Sequence, residues 1–551
     1  MARLLLGDRH STTPQYKGSP PLWVATSCTG LAARAGGHRS ARRTPPPTKA
    51  YNTLAMESEQ VASRPLAAHA PGEFPRAHTL LSPGPPVRPA EALPPPDTAV
   101  SDPAYQAALA YLYGLSAVPR SPEAIRADWP RKLVRMRRLL ALWGNPQEAY
   151  PTVLIAGTKG KGSTAAMLAA ILQAAGWRVG RYTQPHLVSY RERIWANGTF
   201  IPCAAVAALA TEVRPLVEES QRRWPLLGTY TTFEVGTALA LTYFARVGVD
   251  LAVVEVGVGG AHDATNVLDP IASVITAISE DHLATLGPTL ADVAREKAGV
   301  LRPGRPAFSA RQPADAARVL HAVAASVGAR LQWVGREWIW EPREPLAQGG
   351  RFAVRGPAVA YDQLTLPLLG WHQRENATLA IATAQALASV GRPVPEAAVA
   401  RGLATLCWPG RIQVFPGPPP LVVDVAHNVE SAERLRETLA ECFPGRPIVL
   451  VLGCSADKDI AGIAARLAPL ARVVIATRAQ HPRAAPPAVI AAAARAAGAQ
   501  VAEAPTTAQA LARAWACCES TGLVVVAGSL FLAGEALEQL LDRLSPPPVL
   551  T

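Results

Sequence analysis

A strand, a glycine-rich turn and a helix follow one another without a break between Thr152 and Ala175, and this junction constrains the chain more than any other stretch of it. Thr152 to Ala156 is a short run rich in β-branched residues, Ile155-Ala-Gly-Thr-Lys-Gly-Lys-Gly-Ser-Thr164 is the turn, and Ser163 to Ala175 has helical patterning. At such a junction successive backbone N–H groups and the positive end of the helix dipole surround a polyphosphate. Glycine is needed there because a Cβ would hold the backbone away from the phosphate oxygens. Gly157, Thr158, Lys159, Gly160, Lys161, Gly162, Ser163 and Thr164 are therefore the candidate nucleotide-binding residues. Lys161 would meet the β- and γ-phosphates, and Ser163 or Thr164 would offer a hydroxyl to phosphate or metal. Gly162 separates the lysine from the hydroxyl residue, which departs from the common Walker A spacing. The blander reading is an ordinary glycine-rich turn; the strand before it and the helix after it favour a nucleotide.

Further apolar runs at Leu251 to Val256, Ser273 to Ile278, Leu421 to Asp424, Ile448 to Leu452, Arg472 to Ala476 and Leu523 to Val526 alternate with alanine-rich helical segments. That alternation predicts an α/β fold with a mainly parallel sheet covered on both faces. Two amphipathic helical patterns precede it, one through Tyr105, Leu109 and Leu112 and one through Leu133, Met136, Leu139 and Leu140. Short Trp, Val and Phe segments between Arg330 and Leu368 suggest a small antiparallel addition. The Pro- and Gly-rich stretch from Trp408 to Pro420 reads as a hinge. Residues 1–100 are dense in Pro, Ala, Arg and Ser and are expected not to fold. The expected organisation is thus an extension over 1–100, an ATP-binding domain over 101–410 and a second α/β domain over 411–551.

The formal charge of +12 invites a nucleic-acid reading, but the basic residues are scattered, and the balance equally suits anionic small molecules. Seven cysteines without a CxxC pair indicate neither a zinc site nor a disulfide framework, and point to a reducing cytoplasm. No apolar run reaches the roughly 18 to 20 residues that span a bilayer, and Leu523 to Gly534 reads as a buried strand and its turn. Met1 to Leu6 is too short for a signal peptide; the arginine-rich opening leaves a transit peptide open, and Met56 is an alternative start.

Gly157-Thr-Lys-Gly-Lys-Gly-Ser-Thr164 resembles the phosphate loop of the folylpolyglutamate synthases, whose usual form reads GTNGKGS or GTKGKGS. Other motifs follow in the family's order. Tyr182-Thr-Gln-Pro-His-Leu187 looks like TSPHL, Arg191-Glu-Arg-Ile194 and Asn197-Gly198 like ERI and NG, and Thr232-Phe-Glu234 like TxFE. Glu255-Val-Gly-Val-Gly-Gly260 with Asp263-Ala-Thr-Asn266 resembles EVGLGGRLDATN, Asp281-His282 its DH, and Glu296-Lys-Ala-Gly299 its EKAG. His372-Gln373 with Asn376, Pro409-Gly-Arg411, Asp424-Val-Ala-His-Asn428 and Asp457-Lys-Asp459 complete the set, which covers about residues 104 to 535.

The resemblance implies a Mur-ligase-type architecture: a central P-loop ATPase domain and a smaller Rossmann-like C-terminal domain, with the active site between them. It implies an ATP- and Mg²⁺-dependent ligase adding L-glutamate to dihydropteroate, to a folylpolyglutamate, or to both, through an acyl phosphate. By the same resemblance Lys161, Glu255, His282 and Lys297 are catalytic, with Lys297 carbamylated as in several Mur-type ligases. Ser163, Gln184, Glu255, His282 and Lys297 form the implied metal set, and Asn376, Arg411, Asp424 and His427 join the loop in contacting ATP. Without the resemblance, Glu255 reads equally as a salt-bridging carboxylate, His282 as a structural histidine and Lys297 as a solvated lysine. Three positions depart from the pattern. Gln184 replaces a serine that holds magnesium in relatives, Ala261-His262 replaces Arg-Leu and removes a cation, and Glu280 adds an acid beside Asp281. The expected partners are small molecules only, with no nucleic acid or membrane, and the expected state is a monomer. A cell-wall muramyl ligase is the competing enzyme, and an inactive nucleotide-binding scaffold the competing class.

Overall fold

The computed structural model describes residues 93–115, 121–390 and 392–541. The extension expected over 1–100 lies outside the described residues as far as residue 92. Its last residues are folded: Asp97 accepts hydrogen bonds from Tyr105 Oη at 2.6 Å, Ser189 Oγ at 2.7 Å and the Tyr190 amide at 2.9 Å. A carboxylate with three donors ties this segment down, so order begins before Ala104.

The predicted opening helices are present as α1 (Pro103–Gly114) and α2 (Pro122–Leu142). Each begins with proline behind a capping side chain: Asp102 accepts from the Ala104 and Tyr105 amides, and Ser121 from the Ala124 amide. The apolar stripe of α2 delivers Met136, Leu139 and Leu140 to the core.

The larger sheet has eight strands: β1 (Thr152–Ala156), β2 (Val179–Tyr182), β3 (Ile194–Ala196), β4 (Thr199–Phe200), β5 (Leu251–Glu255), β6 (Ala272–Ile275), β7 (Pro306–Ser309) and β8 (Arg330–Trp333). Their order is β4-β3-β2-β5-β1-β6-β7-β8, parallel throughout except at β3 and β4. The central strand β1 explains its own sequence: Val153 and Ile155 join one buried cluster, and Leu154 and Ala156 the cluster on the opposite face. A strand covered on both faces has no polar side to display, so it reads as a continuous apolar run. The helix α3 (Lys161–Ala174) leaves β1 through the glycine-rich turn and is buried over most of its length.

A small antiparallel sheet of β9 (Ile339–Pro342), β10 (Phe352–Arg355) and β11 (Ala360–Leu364) forms within the stretch where one was expected. The start of that stretch, Arg330–Trp333, instead pairs with β7 in the large parallel sheet. The third sheet holds β12 (Gln413–Phe415), β13 (Leu421–Val423), β14 (Ile448–Leu452), β15 (Ala471–Ala476), β16 (Val501–Glu503) and β17 (Leu523–Ala527) in the order β12-β13-β17-β14-β15-β16. Only the edge strand β12 is antiparallel, and it lies inside the stretch read as a hinge. Leu523 to Gly534 is a strand followed by a helix rather than by a turn alone, because Leu530–Leu541 is helical. No described helix is long and apolar enough to cross a membrane.

Candidate active site

The phosphate loop lies at the C-terminal end of β1, where parallel sheets place ligands. Two of its glycines are obligatory. Gly157 has φ +141° and a Cβ there would fall 1.9 Å from Thr276 Oγ1, while Gly160 has φ +89° and would meet Asn376 Oδ1 at 2.4 Å. The second contact seats Asn376, a predicted nucleotide residue, directly against the loop; its Nδ2 donates to Gln373 Oε1 at 3.1 Å. Ser163 and Thr164 are buried in the first turn of α3, and Thr164 Oγ1 is buried without a hydrogen-bond partner.

Lys161 Nζ lies 3.9 Å from Glu255 Oε1 and donates to Thr158 O at 3.3 Å. Glu255 ends β5 and is buried; burial raises its carboxyl above the usual range, and Lys161 works against that rise. Its Oε2 accepts from the Gln184 amide at 3.1 Å, and Gln184 Nε2 reaches Glu255 O at 3.4 Å. Gln184 thus uses its side-chain nitrogen on the backbone, and among the described residues no hydrogen bond reaches its amide oxygen.

Lys297, on the helix Leu290–Ala298, is not the solvated lysine its sequence neighbours suggest. It is buried and donates to Gly157 O at 2.8 Å, which carries it under the loop. Burial and the nearby Lys161 charge push its ammonium down to about 7. Much of it is therefore a neutral, nucleophilic amine near neutrality.

Lys159 Nζ donates to Asp281 Oδ2 at 3.0 Å and lies 3.4 Å from His427 Nε2. Although burial opposes it, Lys159 holds the Asp281 carboxyl well below its ordinary value. His427 Nδ1 is 2.9 Å from Val425 O; a carbonyl only accepts, so Nδ1 carries the proton and Nε2 turns its lone pair to Lys159. Burial, then Lys159, push this imidazole down to about 4, so it is neutral. The Lys159–His427 contact joins the loop to the β13 side of the crevice.

Arg411 donates to Gly410 O at 3.3 Å and faces the fields of Asp424 and Glu255. Asp424 is committed to shaping the hinge: Oδ2 accepts from the Ile412 amide and Oδ1 from the Ala426 amide, both at 2.8 Å. His282 is half exposed, with Nε2 3.8 Å from Asp281 Oδ1. Among the described residues no three His, Cys, Asp or Glu side chains gather in ligand geometry. Glu255, Gln184 and the start of α3 meet, and His282 lies beside Asp281.

Sequence reasoning missed several neighbours. Trp408 reaches the loop, its Cζ2 3.1 Å from the position of a Gly162 Cβ, yet a tryptophan before Pro-Gly gave no signal beyond a hinge. Beside Ala261-His262 a cation comes from elsewhere in the chain: Lys132 Nζ lies 4.0 Å from Asp263 Oδ2 and over the Phe233 ring at 5.7 Å. His262 stacks on Trp129 at 4.5 Å and bonds Glu296 Oε1 at 2.8 Å. Lys132 and Trp129 come from α2, too far away in sequence for any motif to join them.

Residues 410–530 match the model of the Mur ligase, glutamate ligase domain. The dihydrofolate synthase/folylpolyglutamate synthase of Bacillus subtilis is 35% identical over 354 residues, covering 64% of this chain and 82% of that protein. The chain belongs to the dihydrofolate synthase/folylpolyglutamate synthase family. The Mycobacterium tuberculosis member is 38% identical over 374 residues, 65% of this chain and 77% of that one. Among solved family structures, M. tuberculosis folylpolyglutamate synthase complexed with ADP superposes with a TM-score of 0.72 at 34% identity, over 78% of this chain and 98% of that chain. E. coli FolC in complex with DHPP and ADP gives 0.69 at 31%, over 80% and 99%. The Mur-ligase fold is therefore shared, and the chain is an ATP-dependent ligase of folate metabolism.

Proposed function

We propose that the crevice between residues 101–410 and 411–551 joins L-glutamate to the carboxylate of dihydropteroate and of folylpolyglutamates, working as a cytoplasmic monomer. The observation that carries this reading is the meeting of Lys161 and Glu255 at 3.9 Å over a loop whose glycines leave room for phosphate oxygens. A carboxylate acylates poorly, so its activation requires the γ-phosphoryl group of ATP. The acceptor oxygen attacks phosphorus, ADP leaves, and the amine of glutamate then displaces phosphate from the acyl phosphate and loses a proton.

In this reading the amides from Gly157 to Thr164 bind the phosphates, and Lys161 neutralises charge as it moves to the bridging oxygen. Asn376 and Arg411 hold the nucleotide from the loop's flank and the hinge, and Asp424 and His427 hold the hinge strand against it. The donor set fits a hard divalent cation: a buried carboxylate at Glu255, the hydroxyls of Ser163 and Thr164, and the amide oxygen of Gln184. Magnesium, when bound there, would supply further neutralisation of phosphate charge. Lys297 fits carbamylation because a neutral amine adds to CO₂ and releases a proton, and the resulting anion would sit under the loop. His282 would approach from its exposed loop.

Purified protein given ATP, magnesium, glutamate and either dihydropteroate or tetrahydrofolate tests this reading. Phosphate release that requires both acceptor and glutamate is expected. Nucleotide binding without turnover would instead identify a scaffold, and turnover only with a muramyl acceptor a cell-wall ligase. Lys161→Ala is expected to reduce turnover by at least about 10³-fold at unchanged thermal stability, in line with losing a preorganised charge at the transferred group.

A further inference from the structure

Arg181 is a buried cation for which no hydrogen bond or ion pair is found among the described residues. It lies in β2, 6% exposed, between the indoles of Trp195 at 4.9 Å and Trp408 at 4.8 Å from ring centroid to guanidinium carbon. Its Nε is buried without an acceptor, and among the described residues no carboxylate comes within ion-pair distance of the guanidinium. The other buried arginines among the described residues, Arg135 and Arg374, are satisfied. Arg135 bonds Asp128 and Glu234, and Arg374 is held by the carbonyls of Gly350, Leu366 and Leu368. Burial pushes Arg181 down to about 10, which still leaves it charged at neutral pH. A desolvated, unpaired charge is costly, and two aromatic faces offset only part of that cost. An anion bound in this cavity would supply the missing counter-charge and acceptor.

The surroundings indicate which anion. Arg181 lines a cavity with Thr183, Phe200, Trp408, Arg411 and Glu192, and the Glu192 carboxylate is already taken by the Leu187, Val188 and Ser189 amides. Trp408 Nε1 is a second buried donor without an acceptor among the described residues, so two adjacent side chains in this cavity lack the same thing. Trp408 also spans the gap to the chemistry: its Cζ2 is 3.1 Å, and Glu255 Oε2 3.3 Å, from the position of a Gly162 Cβ. One indole thus separates Arg181 from the loop where the acceptor carboxylate must meet the phosphoryl group. A folyl acceptor presents two carboxylates there. The γ-carboxylate is activated, and the α-carboxylate, separated from it by two methylenes and the α-carbon, stays anionic throughout. Dihydropteroate has only the carboxylate that reacts.

Resting on the ligase reading above, we propose that Arg181, with the indole N–H of Trp408, binds the α-carboxylate of the acceptor's terminal glutamate and so sets the preference for glutamylated acceptors. The guanidinium fork matches a carboxylate, and the flanking indoles hold it planar and dry. Arg181 is a specificity residue that leaves the phosphoryl step itself untouched.

The test is a cycle of two enzymes and two acceptors. Wild type and Arg181→Met, which keeps length and stacking surface, are assayed with tetrahydrofolate and with its analogue carrying 4-aminobutyrate in place of glutamate, which lacks only the α-carboxylate. The wild type is expected to favour the natural acceptor in kcat/KM by about 10- to 100-fold, the scale of one charged hydrogen-bonded pair. Arg181→Met is expected to abolish that preference by losing activity on tetrahydrofolate alone, to leave dihydropteroate within about twofold, and to leave the KM for glutamate unchanged. Arg181→Lys should recover part of the preference, and it carries the comparison if the methionine variant does not fold. Equal losses on both acceptors with a raised KM for glutamate would assign the anion to the incoming amino acid and overturn the proposal. Equal losses without that rise would leave Arg181 a structural filler, and an unchanged preference would also overturn it. The ligase reading fails separately, if the wild type turns over no pterin acceptor at all.

Discussion

At the scale of single residues, the phosphate loop makes the sharpest demands. Gly160 is held at φ +89° with Asn376 Oδ1 2.4 Å from where a Cβ would stand, whereas Gly304, at φ +67°, has nothing within 4 Å of the same point. Both alanine variants carry backbone strain of about 1 kcal/mol. Only Gly160→Ala must also displace Asn376, so its nucleotide Kd is expected to rise at least about tenfold while Gly304→Ala binds normally; titration with an ATP analogue checks this. Lys297 makes a pH-dependent prediction. Its ammonium is depressed from the ordinary lysine range to about 7, so the neutral form that adds CO₂ predominates at pH 8 and is scarce at pH 6. Enzyme depleted of CO₂ should regain activity on adding bicarbonate, faster at pH 8 than at pH 6, and Lys297→Ala should not respond. The same rescue at both pH values, or in the alanine variant, would remove carbamylation from the account. The loop and its lysines were legible in the sequence because their spacing is local. Arg181, Trp408 and Lys132 were not, since only the tertiary fold sets their neighbours, and an arginine in a strand looks like any other edge charge.

Elements were legible where burial on both faces forces an uninterrupted apolar run, as in β1, β5, β14 and β17. The strand Val179–Tyr182 was missed because it carries Arg181 and Gly180, and Gly180 packs so closely that a Cβ there would lie 2.7 Å from Phe244. Pro306–Ser309 and Val501–Glu503 are four and three residues long, too short to establish a period. The helices α1 and α2 were found by their stripes, but their anchoring was invisible, since Arg135 of α2 reaches across 99 residues to Glu234. Glu234 starts the helix Thr232–Arg246, where its carboxylate also closes a capping box with Thr231. Asp128 and Glu234 flank Arg135 at 2.9 and 2.7 Å, and all three are buried. Removing the middle cation takes the shared, buried counter-charge from both carboxylates, so Arg135→Met is expected to cost about 3 to 5 kcal/mol. Denaturant titration measures it; a loss under about 1 kcal/mol would mean that water reaches the pair.

On the scale of the whole molecule, catalysis needs the two sheets to present their edges to one crevice, and the connection between them is narrow. Gly410 carries much of that geometry at φ +69°, with its carbonyl accepting from the Val425 amide at 3.1 Å. A Cβ on it would stand 3.1 Å from Val425 on the C-terminal side and 3.3 Å from Leu187 on the other, tighter than ordinary contact with both. Ile412, two residues on, is held at φ +47° while its amide donates to Asp424, an unfavourable backbone for a β-branched residue that the surrounding bonds must maintain. Gly410→Ala therefore perturbs how the two sides meet without touching the phosphate loop. Its kcat is expected to fall about tenfold, the penalty of a misplacement well below 1 Å between reacting groups, while the nucleotide Kd stays within about twofold. A loss confined to nucleotide affinity would contradict this, because it would place the energetic weight of Gly410 on binding to one side and leave the approach of the two sides unconstrained by the hinge.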